Sequence, residues 1–347
     1  MLVLGIETSC DETAAAVVED GPHILSNLIY SQVKTHAAFG GVVPEIASRE
    51  HLAKIRPIVD QVIADSGKSL DDMDGIAVTA GPGLIGCLLV GLTYAKALAF
   101  SKNKPLLAVN HIEGHIYSVC FEYPEIEFPA LALVVSGGHT NLFWVESKTG
   151  NFKHLTYRLI GRTRDDAAGE AYDKVGRLLG LQYPGGPVID RLAKLGNRNA
   201  HTFSIPKISD GALDFSFSGV KTAVLRLVRE GNLVPKNEAD TREDPQRLDI
   251  LASFQEAVVH MLWSTTAKAA AQLKPRSLML SGGVAANSRL KEYLGEKAAE
   301  AGMSFYFPKP IFTSDNAAMI AAVGTAKLLR GETSGMEVSP DPNWRLA

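Results

Sequence analysis

The run LVLGIETSCDETAAAVVE, residues 2–19, decides the fold. Leu2–Glu7 reads as an apolar strand, Thr8–Glu12 as a hydroxyl- and acid-rich tip, and Ala14–Glu19 as the return strand of a β-hairpin. The same plan recurs in ALALVVSGGHTNLFWVE, residues 130–146. There Leu131–Val135 is the strand, Ser136-Gly137-Gly138-His139-Thr140 the tip and Asn141–Glu146 the return.

A second unit also repeats. Gly75–Thr79 is a buried strand, Gly81-Pro82-Gly83 a turn and Leu84–Phe100 a helix; the counterparts are Ser277–Leu280, Gly282-Gly283 and a helix near Ala286–Ala299. A further short strand follows in each half, Pro105–Val109 and Ser304–Phe307. The offset between copies grows by roughly 74 residues from the first unit to the second, which marks an insertion at about 161–245. Glycine turns let backbone N–H groups approach an anionic ligand, and Gly282-Gly283 does so at a helix start. Duplicated hairpins and duplicated strand–Gly–helix units together predict an α/β protein. Its two similar domains, of the actin/hexokinase/heat-shock-chaperone type, face each other across a nucleotide-clasping cleft. The expected domains are 1–128 with a C-terminal helix at about 313–347, and 129–312 with the insertion.

Of the 347 residues, 46% are hydrophobic and 21% charged, a globular composition, and the net charge of −3 excludes a generic polyanion binder. Cys10, Cys87 and Cys120 follow no metal or disulfide spacing, so they are expected to be reduced thiols of a cytoplasmic protein. No secretory leader is expected at the N-terminus. The most apolar stretch, Leu84 to Ala95, is expected to be a buried helix too short to span a bilayer, so no membrane association is expected. Val234–Arg247, dense in charge and proline, reads as a solvated loop.

His111-Ile112-Glu113-Gly114-His115 places two imidazoles on one helix face, a pattern that suits one metal ion. One buried and one surface histidine would give the same spacing. Glu113 sits about 200° round the helix from either histidine, at roughly 3.6 residues per turn, which argues against a zinc protease. Asp315 occupies the position in the second half that mirrors His111 in the first, so it is the candidate third ligand, facing the pair across the cleft. Ser314 is the candidate helix cap. Asp166, Glu170 and Asp173 are expected along one helix face and call for a facing cation or donor-rich ligand, or else form a solvated acidic face. Asp214–Thr222 alternates aromatics with hydroxyls; an aromatic-anchored edge strand would give the same pattern, and spacing alone does not decide.

These residues resemble the TsaD family closely. The resemblance is carried by GIETSCDET (5–13), GGVVPEIASR (40–49), TAGPGL (79–84), HIEGH (111–115) and VSGGHT (135–140). It continues through DDAAGEAYDK (165–174), YPGGP (183–187), DFSFSG (214–219), SGGVAAN (281–287) and TSDNAAMIA (313–321). The motifs span nearly the whole chain in family order. The family, formerly labelled O-sialoglycoprotein endopeptidase, is understood as the bacterial-type tRNA N6-adenosine threonylcarbamoyltransferase. The resemblance implies transfer of the threonylcarbamoyl group from threonylcarbamoyl-AMP to N6 of the adenosine 3′ of the anticodon, in tRNAs reading codons that begin with A, with release of AMP. It implies one divalent Fe(2+) or Zn(2+) per subunit on His111, His115 and Asp315. It implies donor binding by Val134, Val135, Ser136, Gly137, Gly138, Asp173, Gly186, Asp190 and Asn287, and a catalytic role for Asp11 or Glu12. The partners it implies are tRNA, a paralogous TsaB-like subunit and a TsaE-like ATPase. Arg49, Lys54 and Arg56 are candidate tRNA contacts. An ATP-dependent phosphotransferase of the same clasping fold is the alternative that the fold alone leaves open.

Overall fold

The structure, a computed structural model, describes every residue except 206, 207, 209 and 210. The chain divides into two compact units. The first comprises Met1–Ile126, Glu146–Tyr157 and Pro308–Ala347; the second comprises Glu127–Val145 and Arg158–Phe307.

The first sheet contains β1 (Leu2–Glu7), β2 (Glu12–Glu19), β3 (His23–Ser31), β4 (Gly75–Gly81) and β5 (Leu106–Asn110), in the order β3-β2-β1-β4-β5. β1 pairs antiparallel with β2, from Leu2 opposite Glu19 to Glu7 opposite Ala14, and parallel with β4. The helices of this stretch are α1 (Val33–Ala37), α2 (Pro44–Asp65), α3 (Ile85–Lys102) and α4 (His111–Tyr117). The second sheet contains β6 (Ala130–Val135), β7 (Thr140–Ser147), β8 (Leu155–Arg162), β9 (Ser277–Ser281) and β10 (Ser304–Tyr306), in the order β10-β9-β6-β7-β8. β6 pairs antiparallel with β7 and parallel with β9, and β9 pairs parallel with β10. Strand for strand this is the plan of the first sheet, so the duplication read from the hairpins extends to the whole sheet. Its third strand, β3 and β8, was not anticipated.

Among the described residues, five helices lie between β8 and β9: α5 (Ala168–Leu179), α6 (Gly185–Ala193), α7 (Ser218–Glu230), α8 (Glu238–Arg242) and α9 (Pro245–Leu273). Then come α10 (Ser288–Glu300), ahead of β10, and α11 (Ala317–Leu329) near the end of the chain. The first unit's core gathers Leu4, Ile6, Val17, Ile58, Val78 and Leu92; the second gathers Leu133, Tyr172, Ile189, Phe254 and Leu280.

One open reading is decided and three expectations are corrected. Asp214–Thr222 is not an edge strand. Phe215 makes one isolated bridge to Thr163, and α7 starts at Ser218. Residues 234–247 are exposed over most of their length, as expected, but they are not all loop: they include α8 and the start of α9, and Arg247 is buried. The cap of α11 is Asn316, not Ser314: its side-chain oxygen accepts from Met319 N at 3.0 Å. The apolar stretch from Leu84 forms an 18-residue helix, α3, which by length and composition is long and apolar enough to cross a membrane. One face of it, with Leu88, Leu92 and Ala95, is buried, while Ile85, Leu89 and Phe100 are exposed.

Candidate metal centre

β5 ends at Asn110, whose side-chain oxygen accepts from the N–H groups of Ile112 and Glu113 and so starts α4 at His111. Every residue of α4 is buried. Four-residue spacing stacks the rings of His111 and His115 edge to face, with centroids 4.7 Å apart. Gly114 between them admits a neighbour: a Cβ there would stand 2.9 Å from Ile320 Cδ1 and 3.0 Å from Met319 Cγ of α11. That close approach brings the turn ahead of α11, and Asp315 in it, to the histidines. Asp315 Oδ1 lies 3.2 Å from His115 Nε2 and 3.5 Å from His111 Nε2. Asp315 therefore belongs to the same compact unit as the pair. The expectation that it faces the pair across a cleft is corrected.

One ligand atom from each of His111, His115 and Asp315 lies within 4.8 Å of the others. Neither ring nitrogen of His115 makes a hydrogen bond of acceptable geometry, although the residue is wholly buried. Such orphaned polar atoms are costly unless a ligand satisfies them. Burial lowers the His115 pKa, which keeps the ring in the neutral form a metal needs. Burial also opposes charge on His111, but the carboxylates of Asp315 and Glu7 outweigh it and raise His111 to about 9. A bound cation would compete for the charge that now holds that proton. Two imidazoles and one carboxylate in a buried cluster fit a divalent transition metal such as zinc or iron.

Glu7, at the end of β1, is a functional residue the sequence reading missed. It is fully buried, and its carboxylate accepts from His111 Nδ1 at 3.1 Å, from the Thr79 hydroxyl and from Ser9 N. Burial pushes this carboxyl up, but the facing His111 and the hydrogen bonds bring it below its ordinary value. Glu7 thus holds the Nδ1 proton and turns Nε2 toward Asp315, the arrangement of a carboxylate–histidine–metal triad. The available signal was a lone Glu closing a wholly apolar strand, where a charge must have a partner. Glu7→Gln is expected to weaken zinc binding by about 10- to 100-fold, read by chelator competition, with the fold intact. Unchanged affinity would remove Glu7 from the site.

Glu113 faces away from the ligands, as its helical position predicts. It accepts from the Tyr157 hydroxyl at 3.0 Å and lines a cavity of about 300 Å³ with Lys327 and Arg330. In the tip of the first hairpin, Asp11 is buried, and Glu12 is pushed well above its ordinary pKa by burial and by the charges of Asp11 and Asp315. The cysteines are free. Burial raises Cys10 well above its ordinary value and Cys87 and Cys120 to about 12, so all three thiols stay protonated.

The donor-binding candidates all fall in the second unit. Val134 and Val135 close β6 and are buried; Gly137 and Gly138 are exposed, with open space where a Cβ would stand. Gly282, at φ +88°, would place a Cβ 2.4 Å from the Val135 carbonyl oxygen, so only glycine lets this turn lie against the hairpin tip. On the other side Gly169 N, at the start of α5, donates to Ser136 O at 3.2 Å. Asp173 Oδ1 accepts from Gly185 N at 2.7 Å, next to Gly186. Asp190 Oδ1 accepts from Ser288 Oγ at 2.9 Å, and Asn287 caps α10 while donating to Gln255 at 2.8 Å. The row of acids at 166–173 is not an empty cation site: Lys174 and Lys221 each reach Asp166 at 2.7 Å.

The chain matches the profile of the TsaD family, tRNA N6-adenosine threonylcarbamoyltransferase, over residues 23–322. It is 50% identical to the protein of that name from Anaeromyxobacter sp. (strain Fw109-5), with 100% of both chains covered. It is 49% identical to the one from Koribacter versatilis (strain Ellin345), covering 99% of each. Among solved structures, full-length HypF in its phosphate- and nucleotide-bound form superposes with a TM-score of 0.60 at 14% identity, over 96% of this chain and 47% of that one. Component A of the (R)-2-hydroxyglutaryl-CoA dehydratase of Acidaminococcus fermentans superposes with a TM-score of 0.54 at 14% identity, over 95% and 99%. These two likenesses speak for the fold alone, two α/β domains of the actin/hexokinase/heat-shock-chaperone type. With its profile matched across most of its length and half its residues shared with full-length relatives, the chain belongs to the TsaD family.

Proposed function

We propose that this chain forms N6-threonylcarbamoyladenosine in tRNA. It transfers the threonylcarbamoyl group of threonylcarbamoyl-AMP to N6 of the adenosine 3′ of the anticodon, in tRNAs reading codons that begin with A, and releases AMP. The observation that carries the reading is the buried His111–His115–Asp315 cluster inside a TsaD-family chain.

The donor is a mixed anhydride and already activated. The exocyclic amine of adenine is a poor nucleophile, because its lone pair is delocalised into the ring. What remains is to place the amine in line and to stabilise charge on the carbamoyl oxygen, each worth several kcal/mol or more. A divalent Fe(2+) or Zn(2+) on His111, His115 and Asp315 supplies Lewis acidity for that oxygen. The Val134–Gly138 tip offers backbone to the donor. Asp173 and Asp190 are assigned to the ribose hydroxyls and Asn287 to the adenylate end, with Gly186 a further donor-binding position. Asp11 and Glu12 are the candidate acid–base pair: burial and the neighbouring carboxylates push Glu12 well above its ordinary pKa, which suits a group that holds a proton.

The net charge of −3 favours a shared tRNA platform, with a TsaB-like subunit and a TsaE-like ATPase as partners. On α2, Arg49 and Arg56 are exposed, although Arg56 lies 3.5 Å from Asp60 and Lys54 sits over the Tyr30 ring. An enzyme of this kind works beside its tRNA, in the cytoplasm.

The test combines purified chain, the two partner types, synthetic donor and unmodified tRNA, followed by nucleoside mass spectrometry. The modified adenosine and AMP are expected in equal amounts. ATP turnover without tRNA, and no modified nucleoside, would favour the phosphotransferase instead.

A further inference from the structure

Two buried histidines of the first unit, His36 and His51, lie outside the metal cluster. Their partners assign their tautomers. His51 Nε2 stands 2.8 Å from the Cys10 carbonyl oxygen, which can only accept, so Nε2 carries the proton. Nδ1 of that ring is then an acceptor, and the Thr13 hydroxyl donates to it at 2.8 Å. The Gln32 amide nitrogen is 3.4 Å from the Ala47 carbonyl oxygen, which sets its orientation, and 3.5 Å from His51 Nδ1, the longest link of the set. The Gln32 oxygen therefore accepts from His36 Nε2 at 3.1 Å. His36 Nδ1 in turn accepts from Val43 N at 3.3 Å. Every link donates in one direction, from Val43 through His36, Gln32 and His51 to Cys10.

The same residues grip the hairpin tip twice. Besides His51 on the Cys10 carbonyl, the backbone N–H of Gln32 donates to the Asp11 carbonyl at 3.0 Å. Closing a hairpin needs only its own ladder. Two buried imidazoles and an amide held in one register are costly unless every partner is satisfied, and a satisfied network fixes geometry tightly. Burial holds His51 below its ordinary pKa, so the ring stays neutral and the relay keeps its direction at working pH. The outer end is the turn before α2, where Phe39 is 58% exposed.

We propose that His51, backed by Gln32 and His36, is a positioning set that fixes the Cys10–Glu12 turn and so the stance of the Asp11 and Glu12 carboxyl groups. This rests on the reading of those two as the acid–base pair. The first test is NMR of the whole protein carrying 15N-labelled histidine. His51 and His36 are expected as neutral Nε2–H tautomers; an Nδ1–H tautomer at His51 would overturn the relay.

The second test is kinetic. His51→Phe is expected to lower kcat about 30-fold with KM for the donor and bound metal unchanged, and His51→Gln, whose amide can still donate to Cys10, to restore most of it. A folded His51→Phe with full kcat, a parallel loss of metal, or no rescue by glutamine would each overturn the proposal. Should His51→Phe fail to fold, Gln32→Leu takes its place. Faster amide exchange at Asp11 and Glu12 and a lower kcat are then expected, and no change in either rejects the set. If the parent chain modifies no tRNA, the functional reading has failed, while tautomers and amide exchange still decide the relay.

Discussion

Replacing His115 by alanine is expected to strip the metal from the protein and to lower kcat for threonylcarbamoyl transfer by about 10³-fold, or roughly 4 kcal/mol of transition-state stabilisation. Two ligands, His111 and Asp315, would remain, and two side chains rarely hold a transition metal against solvent. The fold should survive. Neither nitrogen of the His115 ring makes a good hydrogen bond, so its removal orphans no partner. What is lost is packing beside His111, a cavity cost of about 2 kcal/mol. Metal analysis, melting temperature and transfer rate on one preparation separate these effects. Full metal content in the variant would remove His115 from the ligand set; lost metal with full activity would remove the metal from the chemistry.

Much of this site was legible before any coordinates. The His111–His115 spacing fixes a shared helix face wherever a helix forms, and the hairpin tips announced themselves by glycine and acid between apolar runs. β3 and β8 escaped because they are half-exposed strands with no clean alternation to read. Asp315 was found, but it was expected to face the histidines across a cleft rather than to stand beside them in one unit. A repeat aligns positions in sequence, whereas α11 packs where Gly114 makes room for it. Glu7 was passed over because a strand-ending acid shows its partner only when His111, more than a hundred residues on, folds back to it. The acidic run at 166–173 stayed open between a ligand site and a solvated face, because its cations, Lys174 and Lys221, lie 8 and 55 residues from Asp166.

The sharpest misreading supplies the second large prediction. Charge density marked 234–247 as solvated, yet Arg247 is 1% exposed. Its Nε donates to Asp244 Oδ2 at 2.9 Å, Nη2 to the Val234 carbonyl and Nη1 to the Leu179 carbonyl at 3.5 Å. Asp244 is also the cap of α9 and is held by Lys236 at 2.9 Å. Burial opposes its charge, but hydrogen bonds from Lys236 and Arg247 bring its carboxyl below the ordinary value. Arg247→Ala is therefore expected to destabilise the protein by about 3–5 kcal/mol, since it leaves a buried carbonyl unpaired and opens a cavity. Arg247→Lys should recover only part of the loss, because one ammonium cannot span three acceptors set at different directions. Urea midpoints at unchanged m-value give the measurement. A solvated loop would answer within about 0.5 kcal/mol, so a loss that small would return the segment to the surface. A loss of several kcal/mol would make Arg247 a buried tie between the α9 start and the end of α5.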